Sequence, residues 1–211
     1  MSPKPLSLTL ILAATPSLGI GKNGTLPWPQ LKKEMGYFAR VTKRVPPRIV
    51  GKEGSRQRVN AVVMGRKTWD SIPEKFRPLK GRVNVVVTRD PGAVQAALDK
   101  LQAFSTVSSA SLSDSSSPMV DMEIERVFVI GGATLYNSAL ELPQTDRILL
   151  TKIRNEYECD TFFSVDLEKE GTGWRRAGRE EVEEWTGESV SGKGVVEQGV
   201  GFEFGMWERV Q

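Results

Sequence analysis

The sequence predicts a single α/β domain with a central, mostly parallel twisted sheet, an antiparallel C-terminal edge and helices on both faces. Through residue 153, apolar runs of strand length alternate with helical patterns, as in parallel strands joined by crossover helices. The last third carries half-exposed apolar segments instead, which are typical of antiparallel strands. A chain of 211 residues with 39% hydrophobic and 26% charged residues suits one domain with its own core.

The elements follow from the apolar pattern in chain order. Five buried strands are predicted at 6–14, 59–64, 82–88, 126–130 and 147–153. Helices are predicted between them, at about 31–43, 67–72, 91–102 and 133–140. Two further strands, 182–185 and 201–209, are predicted near the antiparallel edge. Residues 1–211 therefore form one predicted domain, in which the serine-rich segment 105–118 is a surface loop insertion without its own core.

The first apolar run, 6–14, has to be distinguished from a signal peptide. It has the length of a strand, and Ser7 and Thr9 dilute its hydrophobicity, so we interpret it as a buried first strand. The apolar runs of the chain are far too short to span a membrane. The single cysteine, Cys159, cannot form an internal disulfide and favours a reducing compartment, so a cytoplasmic location is expected, with a mitochondrial or nuclear pool left open.

The chain contains no histidine, which excludes Ser/His/Asp triads, histidine acid–base catalysis and the usual histidine-containing metal sites. No metal site is predicted, and proton chemistry falls to a carboxylate, a tyrosine, a lysine or water. The net charge is only +3, but residues 31–90 hold 16 Lys and Arg against 5 Asp and Glu. This basic half favours an anionic ligand or, alternatively, a nucleic acid.

One carboxylate falls on the apolar face of a predicted helix. Leu31, Met35, Phe38 and Ala39 recur at helical spacing and mark the face expected to turn inward, and Glu34 shares that face. Burying an ionised carboxylate is costly unless a partner compensates it, so a ligand with hydrogen-bond donors or positive charge would explain Glu34. The alternative is a first-turn acid that favours the helix dipole and reaches solvent.

The segment 19–24 matches G-x-G-x-x-G but does not predict a dinucleotide fingerprint. That fingerprint must lead from a strand directly into a helix, whereas residues 15–17 separate this segment from the strand and prolines at 27 and 29 forbid an immediate helix. We interpret it as a mobile glycine-rich loop that could act as a lid, with Trp28 at its base.

Three strand ends are better candidates for binding phosphate. The segments 62–69 and 128–134 each run from a strand through glycine into a helix, and the strand that ends at Val87 is followed by Thr88 and Arg89. Helix N-termini favour anions, and ligands of open α/β sheets bind beyond the carboxyl ends of the strands. Together the three ends favour a diphosphate with additional negative charge, such as a dinucleotide phosphate.

These segments resemble those of the dihydrofolate reductase family, in its eukaryotic and fungal form. The motifs that carry the resemblance occur in the family's order over nearly the whole chain: GIGKNGTLPW (19–28), the helix with Glu34, MGRKTWDSIP (64–73), RPLKGRVNVVVTR (77–89), VIGGATLY (129–136) and CDTFF (159–163). The resemblance implies a dihydrofolate reductase-like fold. It also implies hydride transfer from NADPH to C6 of 7,8-dihydrofolate with protonation at N5, an activity that supplies one-carbon metabolism.

The resemblance also implies which residues bind substrate. Glu34 and Trp28 match the catalytic positions: the acid that holds the pterin ring, and the indole that fixes a water beside it. Arg82 matches the arginine that clamps the α-carboxylate of the glutamate tail. The substrate-binding positions are Ile11, Glu34, Met35, Phe38, Ile72, Arg82, Ile130, Tyr136 and Thr151. Met35 replaces an aromatic residue of the vertebrate pattern, and the serine-rich segment has no close match.

The implied cofactor is NADPH, and Gly131–Gly132 matches a cis peptide of the family. The implied cofactor-binding positions are Ala13, Ile20, Gly21, Gly24, Thr25, Gly65, Arg66, Lys67, Thr68, Thr88, Arg89, Asp90, Gly131, Gly132, Ala133, Thr134 and Leu135. The implied partners are dihydrofolate and antifolate inhibitors. No membrane and no obligate protein partner are implied, and a monomer is expected.

Two other functions remain open at this point. The first keeps the fold but changes the substrate: an NADPH-dependent reductase of a pyrimidine intermediate in riboflavin synthesis, which would not need Trp28, Glu34 and Arg82 together. The second is a non-catalytic protein that binds nucleotides or RNA through the basic half.

Overall fold

The computed structural model describes residues 5–47, 57–88, 90, 92–106 and 122–210. Within these ranges the strands are β1 (Leu8–Ala14), β2 (Gly19–Gly21), β3 (Gln57–Gly65), β4 (Arg82–Val87), β5 (Met122–Val129), β6 (Thr145–Ile153), β7 (Thr161–Phe162), β8 (Trp174–Arg176), β9 (Val195–Glu197) and β10 (Val200–Arg209). The helices are α1 (Lys32–Lys43), α2 (Arg66–Ser71), α3 (Ala93–Thr106), α4 (Ala133–Leu140) and α5 (Arg179–Thr186). In the same ranges, no helix combines the length and apolar character needed to cross a bilayer.

The main sheet has the predicted mixed architecture. Its strand order among the described residues is β4-β3-β5-β1-β6-β10-β8, and β9 pairs with β10 beside this path. The first five strands in this order are mutually parallel, whereas β10 runs antiparallel to β6 and is followed by the antiparallel β8. The predicted fold class is therefore confirmed, including the antiparallel C-terminal edge.

Helices cover both faces of the sheet because its strands alternate their buried side chains. On one face, Leu8, Leu10 and Leu12 of β1 belong to a core that also contains residues of α3 and α4. On the other face, Ile11 of β1 belongs to a core that contains Tyr37 of α1 and residues of α5. The second face carries α1, and with it Glu34.

The predicted strand at 182–185 is wrong, because these residues lie in helix α5. Glu181 accepts a hydrogen bond from the Gly178 N–H at 2.6 Å and so caps the start of the helix. Gly187 ends it in the left-handed conformation, with φ of 73°. The buried residues Val182 and Thr186 are four positions apart, a helical spacing that the four-residue window 182–185 was too short to reveal.

The boundary predicted for the serine-rich loop is also corrected. Helix α3 continues to Thr106, so Ser105 belongs to the helix rather than to the loop. The Ser105 hydroxyl oxygen accepts a hydrogen bond from the N–H of Ile124 in β5 at 3.0 Å, which ties the end of the helix to the sheet. The rest of the predicted loop lies outside the described residues.

Candidate active site

A cleft opens in the middle of the sheet where β1 and β5 separate. The two strands pair only from Leu8 to Leu10 of β1, whereas β1 stays paired with β6 as far as Ala14. The buried Tyr136 hydroxyl of α4 enters the gap and donates to the carbonyl oxygen of Ile11 at 2.8 Å. This gap lies toward the carboxyl ends of the parallel strands, where ligands of open α/β sheets bind.

The two glycines after β5 close one side of the gap. The Gly131–Gly132 peptide is cis, as implied by the resemblance. The Gly65 N–H donates to the Gly131 carbonyl at 2.8 Å, which joins the end of β5 to the end of β3. Gly131 has φ of 108°, and a Cβ there would lie 3.2 Å from the Tyr136 hydroxyl, so position 131 requires glycine.

This junction brings together the starts of α2 and α4, which carry most of the predicted phosphate-binding residues. The Thr68 hydroxyl lies 3.8 Å from the position that a Cβ of Gly132 would take. Arg66 and Lys67 are exposed in the first turn of α2 and form no ion pair with any described residue. Thr88 and Asp90 are exposed beyond β4, and Arg89 lies outside the described residues.

Leu135, another predicted cofactor-binding residue, lies in the core instead of the cleft. Its side chain is buried with the α3 and α4 cluster, and its N–H donates to the Gly132 carbonyl at 2.9 Å. Of the first three residues of α4, only Ala133 and Thr134 leave their side chains outside the core. A bound anion would therefore meet the glycines and these two residues.

Glu34 lies in the first turn of α1 and faces β6. Its Oε1 atom accepts a hydrogen bond from the hydroxyl of Thr151 at 3.3 Å, and Thr151 is only 3% exposed. Burial raises the pKa of Glu34 from its ordinary value of 4.5 to about 7, and the hydrogen bond from Thr151 opposes this rise. Thr151 thus gives Glu34 a partner within the protein, although one hydroxyl leaves most of the carboxylate's acceptor capacity unused.

The raised pKa predicts that Glu34 costs stability at alkaline pH. Below about pH 4.5 the carboxyl group is protonated in both the folded and the unfolded state, so its burial carries no charge penalty, and this advantage is lost as the pH rises through 7 and the folded state has to hold the ionised form. A shift of one pKa unit corresponds to about 1.4 kcal/mol. At pH 8, Glu34→Gln is therefore expected to raise the free energy of unfolding by up to about 3 kcal/mol. Urea unfolding between pH 4 and pH 8 measures the difference. The difference in the free energy of unfolding between Glu34→Gln and the unaltered protein should nearly vanish at pH 4.

The exposed Glu184 of α5 offers a matched control for this measurement. Glu184→Gln should change stability by less than about 0.5 kcal/mol at either pH, since it lies on the surface. A Glu34→Gln difference that does not depend on pH would show that the carboxylate is well solvated in the folded protein.

The inward face of α1 differs from the predicted one. Tyr37 and Val41 are buried, Phe38 is partly buried, and Met35 is 42% exposed. The prediction that Met35 faces the core is wrong, because the buried stripe of α1 turns toward positions 37 and 41, whereas its contact with substrate stays a prediction. The Tyr37 ring stacks on Phe204 of β10 with the ring centroids 3.9 Å apart, and this contact sets the rotation of the helix.

Arg82 opens β4 at the other end of the α1 face. Its Nη1 donates to the hydroxyl of Thr42 at 2.7 Å, and its guanidinium lies 5.9 Å from the centre of the Phe38 ring. Burial lowers the pKa of Arg82, and no described acidic residue pairs with it. Thr42 was not predicted from the sequence, because a threonine near the end of a helix carries no signal for contact with a distant strand.

The predicted apolar walls lie on the face of the sheet that carries α1. Ile11, Phe38, Ile72 and Ile130 all belong to one hydrophobic cluster on the α1 face of the sheet. Along α1, the structure therefore places the partly buried Glu34 in the first turn, Phe38 of the apolar wall in the middle and, against Thr42 in the last turn, a cation without an acidic partner among the described residues. A flat, partly apolar ligand with donors at one end and a carboxylate at the other would match this order.

The glycine-rich segment 19–28 has more regular structure than the predicted loop. Gly19–Gly21 forms β2 and pairs with β7, and Lys22 and Thr25 exchange two backbone hydrogen bonds of 2.9 Å. The residues between them have φ of 50° at Asn23 and 77° at Gly24, the signs of a hairpin turn that the Asn-Gly pair could have predicted.

An acidic stretch of the chain fastens this hairpin. The Asn23 N–H donates to Asp160 Oδ2 at 2.7 Å, and Lys22 pairs with Glu158. The Gly19 backbone lies against Cys159, so closely that a Cβ at Gly19 would collide with its sulfur. Ile20 and Ala13 are partly buried, and at the end of the segment Trp28 is 5% exposed and contacts Tyr157 edge to face.

Three comparisons place these features among known proteins. The family model described as dihydrofolate reductase matches residues 7–191. The dihydrofolate reductase of Pneumocystis carinii is 42% identical over 210 residues, covering 96% of this chain and 97% of that protein. The enzyme of the same name from Cryptococcus neoformans var. neoformans is 39% identical over 224 residues, covering 95% and 94%. The structure of Schistosoma mansoni dihydrofolate reductase matches with a TM-score of 0.62 at 28% identity, covering 98% of this chain and 100% of that chain.

Proposed function

The chain belongs to the dihydrofolate reductase family and reduces dihydrofolate, and we propose that it does so with NADPH while Glu34 holds the pterin ring. The observation that carries the role of Glu34 is its partial burial and its hydrogen bond with Thr151 on the face of α1 that turns to the sheet. Dihydrofolate has a flat pterin with hydrogen-bond donors at one end and a glutamate carboxylate at the other. This order matches Glu34, the apolar wall and Arg82.

Glu34 anchors the substrate through its ionised form. The pterin N3 and 2-amino group donate to the two carboxylate oxygens, and the Thr151 hydroxyl keeps the carboxylate turned toward them. Because the pKa of Glu34 is about 7, the group takes up and releases protons readily near neutral pH. The proton for N5 arrives through water held beside Glu34 and Trp28.

The apolar wall orients the pterin and keeps bulk water away from it. Ile11, Phe38 and Ile72 contact the pterin and aminobenzoyl rings, and the buried Trp28 closes the end of the cleft beside α1. We expect the hairpin at 19–25 to close over the cleft and complete the exclusion of solvent.

The residues around the β3–β5 junction fit a dinucleotide phosphate. Thr68 approaches the exposed Gly132 at the start of α4, where a diphosphate would meet a hydroxyl and a backbone without a side chain. Arg66 and Lys67 are exposed cations without an ion pair among the described residues, so they are available to phosphate. NADPH, when bound, supplies the hydride that is transferred from C4 of its nicotinamide to C6 of dihydrofolate.

Cofactor choice gives a prediction for Arg66. NADPH differs from NADH by a 2′-phosphate, which arginine can bind bidentately. Arg66→Ala is expected to raise the KM for NADPH roughly tenfold, the scale of a lost charged hydrogen bond, while the KM for NADH changes less than about twofold. Steady-state kinetics with each cofactor in turn measures the two KM values. The sequence predicts the same pattern for Arg89→Ala.

A matched control is Lys100→Ala, which removes an exposed cation from α3 and should leave both KM values unchanged. If Arg66→Ala raised the KM for NADPH and the KM for NADH by the same factor, Arg66 would act on the fold or on a part common to both cofactors.

One assay tests the proposed function as a whole. Purified protein is incubated with NADPH and 7,8-dihydrofolate, and the loss of NADPH absorbance is followed together with the appearance of tetrahydrofolate. A pyrimidine intermediate of riboflavin synthesis serves as the alternative substrate. Turnover of dihydrofolate alone supports the proposal, whereas turnover of the pyrimidine alone, or of neither, contradicts it.

The proposal has three further parts. Antifolates that present donors to a carboxylate bind at Glu34 in competition with dihydrofolate. The protein acts as a monomer with no obligate protein partner. It works in the cytoplasm, where its single cysteine stays reduced.

A further inference from the structure

Helix α1 begins without a cap from its own sequence. Its N-cap residue is Leu31, which forms no side-chain hydrogen bond to the first turn. The first N–H groups of any helix need acceptors from outside the helix. Leu31 is only 2% exposed and packs with Trp28, so a polar capping residue at position 31 would disturb this core.

A residue that is distant in sequence supplies the cap instead. Glu197, the last residue of β9, accepts a hydrogen bond from the N–H of Lys32 on Oε1 at 3.0 Å. Its other oxygen, Oε2, accepts one from the N–H of Lys33 at 2.9 Å. The carboxylate therefore binds two consecutive N–H groups with both of its oxygens, and its negative charge lies at the positive end of the helix dipole.

The β9–β10 hairpin supports this contact on either side of Glu197. Gln198 donates through Nε2 to the carbonyl oxygen of Gln30 at 2.8 Å. Val200 and Phe202 of β10 are buried in the cluster that contains Trp28 and Leu31. The hairpin thus holds the start of α1 through hydrogen bonds and through apolar packing.

We propose that Glu197 is a positioning residue for Glu34, which it keeps aimed into the cleft by fixing the first turn of α1. This inference rests on the proposed function, in which Glu34 holds the pterin. Glu34 follows the two capped residues directly. Its hydrogen bond with Thr151 is long, at 3.3 Å, so a small displacement of the first turn breaks it.

Losing the cap also changes the surroundings of the Glu34 carboxyl. A frayed first turn admits water, which favours the ionised form, and the loss of the Glu197 charge acts in the same direction. The polar groups that face or influence Glu34 are the Thr151 hydroxyl on β6, the Tyr37 hydroxyl on α1 and the Tyr136 hydroxyl on α4. The charged groups nearest to it on the chain or at the capped turn are Lys32, Lys33 and Glu197, and Glu188, like Glu34, acts electrostatically on the Tyr37 hydroxyl.

The test compares Glu197→Gln and Glu197→Ala with the unaltered protein. Loss of a helix cap is expected to lower kcat/KM for dihydrofolate at pH 7 roughly three- to tenfold in Glu197→Ala, and less in Glu197→Gln, which keeps one acceptor. The loss should lie mainly in the KM for dihydrofolate, with the KM for NADPH unchanged. The apparent pKa of the kcat/KM profile, measured from pH 5 to 9, should move to lower pH in the same order of variants.

Val196→Ala is the matched control, since Val196 is the adjacent residue of β9 and is 68% exposed. It should leave both KM values and the pH profile unchanged. If the Glu197 variants lose activity with dihydrofolate and NADPH equally and keep the unaltered pH profile, Glu197 only stabilises the fold and the inference is wrong. It is also wrong if the Glu197 variants behave like the unaltered protein. Failure of the proposed function is distinguished from both outcomes, because the unaltered protein would then not reduce dihydrofolate.

Discussion

Replacing Glu34 with glutamine is expected to lower kcat/KM for dihydrofolate at pH 7 by about 10²–10⁴, the range typical of a positioned acid–base group. Glutamine keeps the shape of the side chain and accepts the Thr151 hydroxyl bond through its carbonyl oxygen. It lacks the charge that favours a pterin ring becoming cationic at N5. The variant also presents an NH₂ group to the donors of the pterin, so one ligand contact becomes repulsive.

The loss should depend on pH. Activity of Glu34→Gln is expected to recover partly as the pH falls from 8 to 5, since solvent then supplies substrate that is already protonated. NADPH binding should be nearly unchanged, because none of the predicted cofactor-binding residues lies on α1. Kinetics from pH 5 to 8 and a separate NADPH titration measure the two effects.

Glu184→Gln, on the exposed surface of α5, serves as the control and should retain full activity. Near-normal turnover of Glu34→Gln at pH 7 would reduce Glu34 to an ordinary residue of a helix face. The large stability gain predicted for the same substitution at pH 8 would then be its only effect.

The second large effect is expected from Arg82→Leu, which should raise the KM for dihydrofolate roughly 10²-fold. Arg82 is partly buried without an acidic partner among the described residues. A substrate carboxylate that binds it bidentately would supply the negative charge that this arginine lacks as a partner. The KM for NADPH should change less than about twofold. Steady-state kinetics with dihydrofolate, and with a dihydropterin that lacks the glutamate tail, measures the specific contribution of Arg82.

With the tail-free substrate, the unaltered protein and Arg82→Leu should perform alike. Arg77→Leu is the matched control, since Arg77 is a nearby arginine that lies within 4 Å of both Asp70 and Glu74. If Arg82→Leu loses as much activity with the tail-free substrate as with dihydrofolate, Arg82 works through its contact with Thr42 and the shape of α1.

Strands and helices with long apolar patterns could be predicted from the sequence because their periodicity spans several turns or pleats. The ends of the five parallel strands and the first four helices differ from the predictions by at most four residues. The prediction failed at α5, where the apolar signal was confined to a few residues and the capping glycines decided the structure. The two-residue pairing of β7 is likewise too short to carry a periodic signal.

The sequence by itself determined the order of the parallel strands and helices along the chain, and the position of an acid on the apolar side of α1. Local chemistry is sufficient for both, because hydrophobic spacing and glycine positions act within a few residues. The family could also be recognised from it, through motifs that occur in a set order.

Only the tertiary structure decided how Glu34 is held. Its partner Thr151 is 117 residues away, and the cap of its helix comes from Glu197, more than 160 residues away. Arg82 meets Thr42 across 40 residues, and Met35 is exposed because Tyr37 stacks on Phe204. These contacts depend on how β4, β6, β9 and β10 are brought next to α1 by the packing of the sheet. No local pattern encodes that arrangement, since it results from packing two faces of one sheet at the same time.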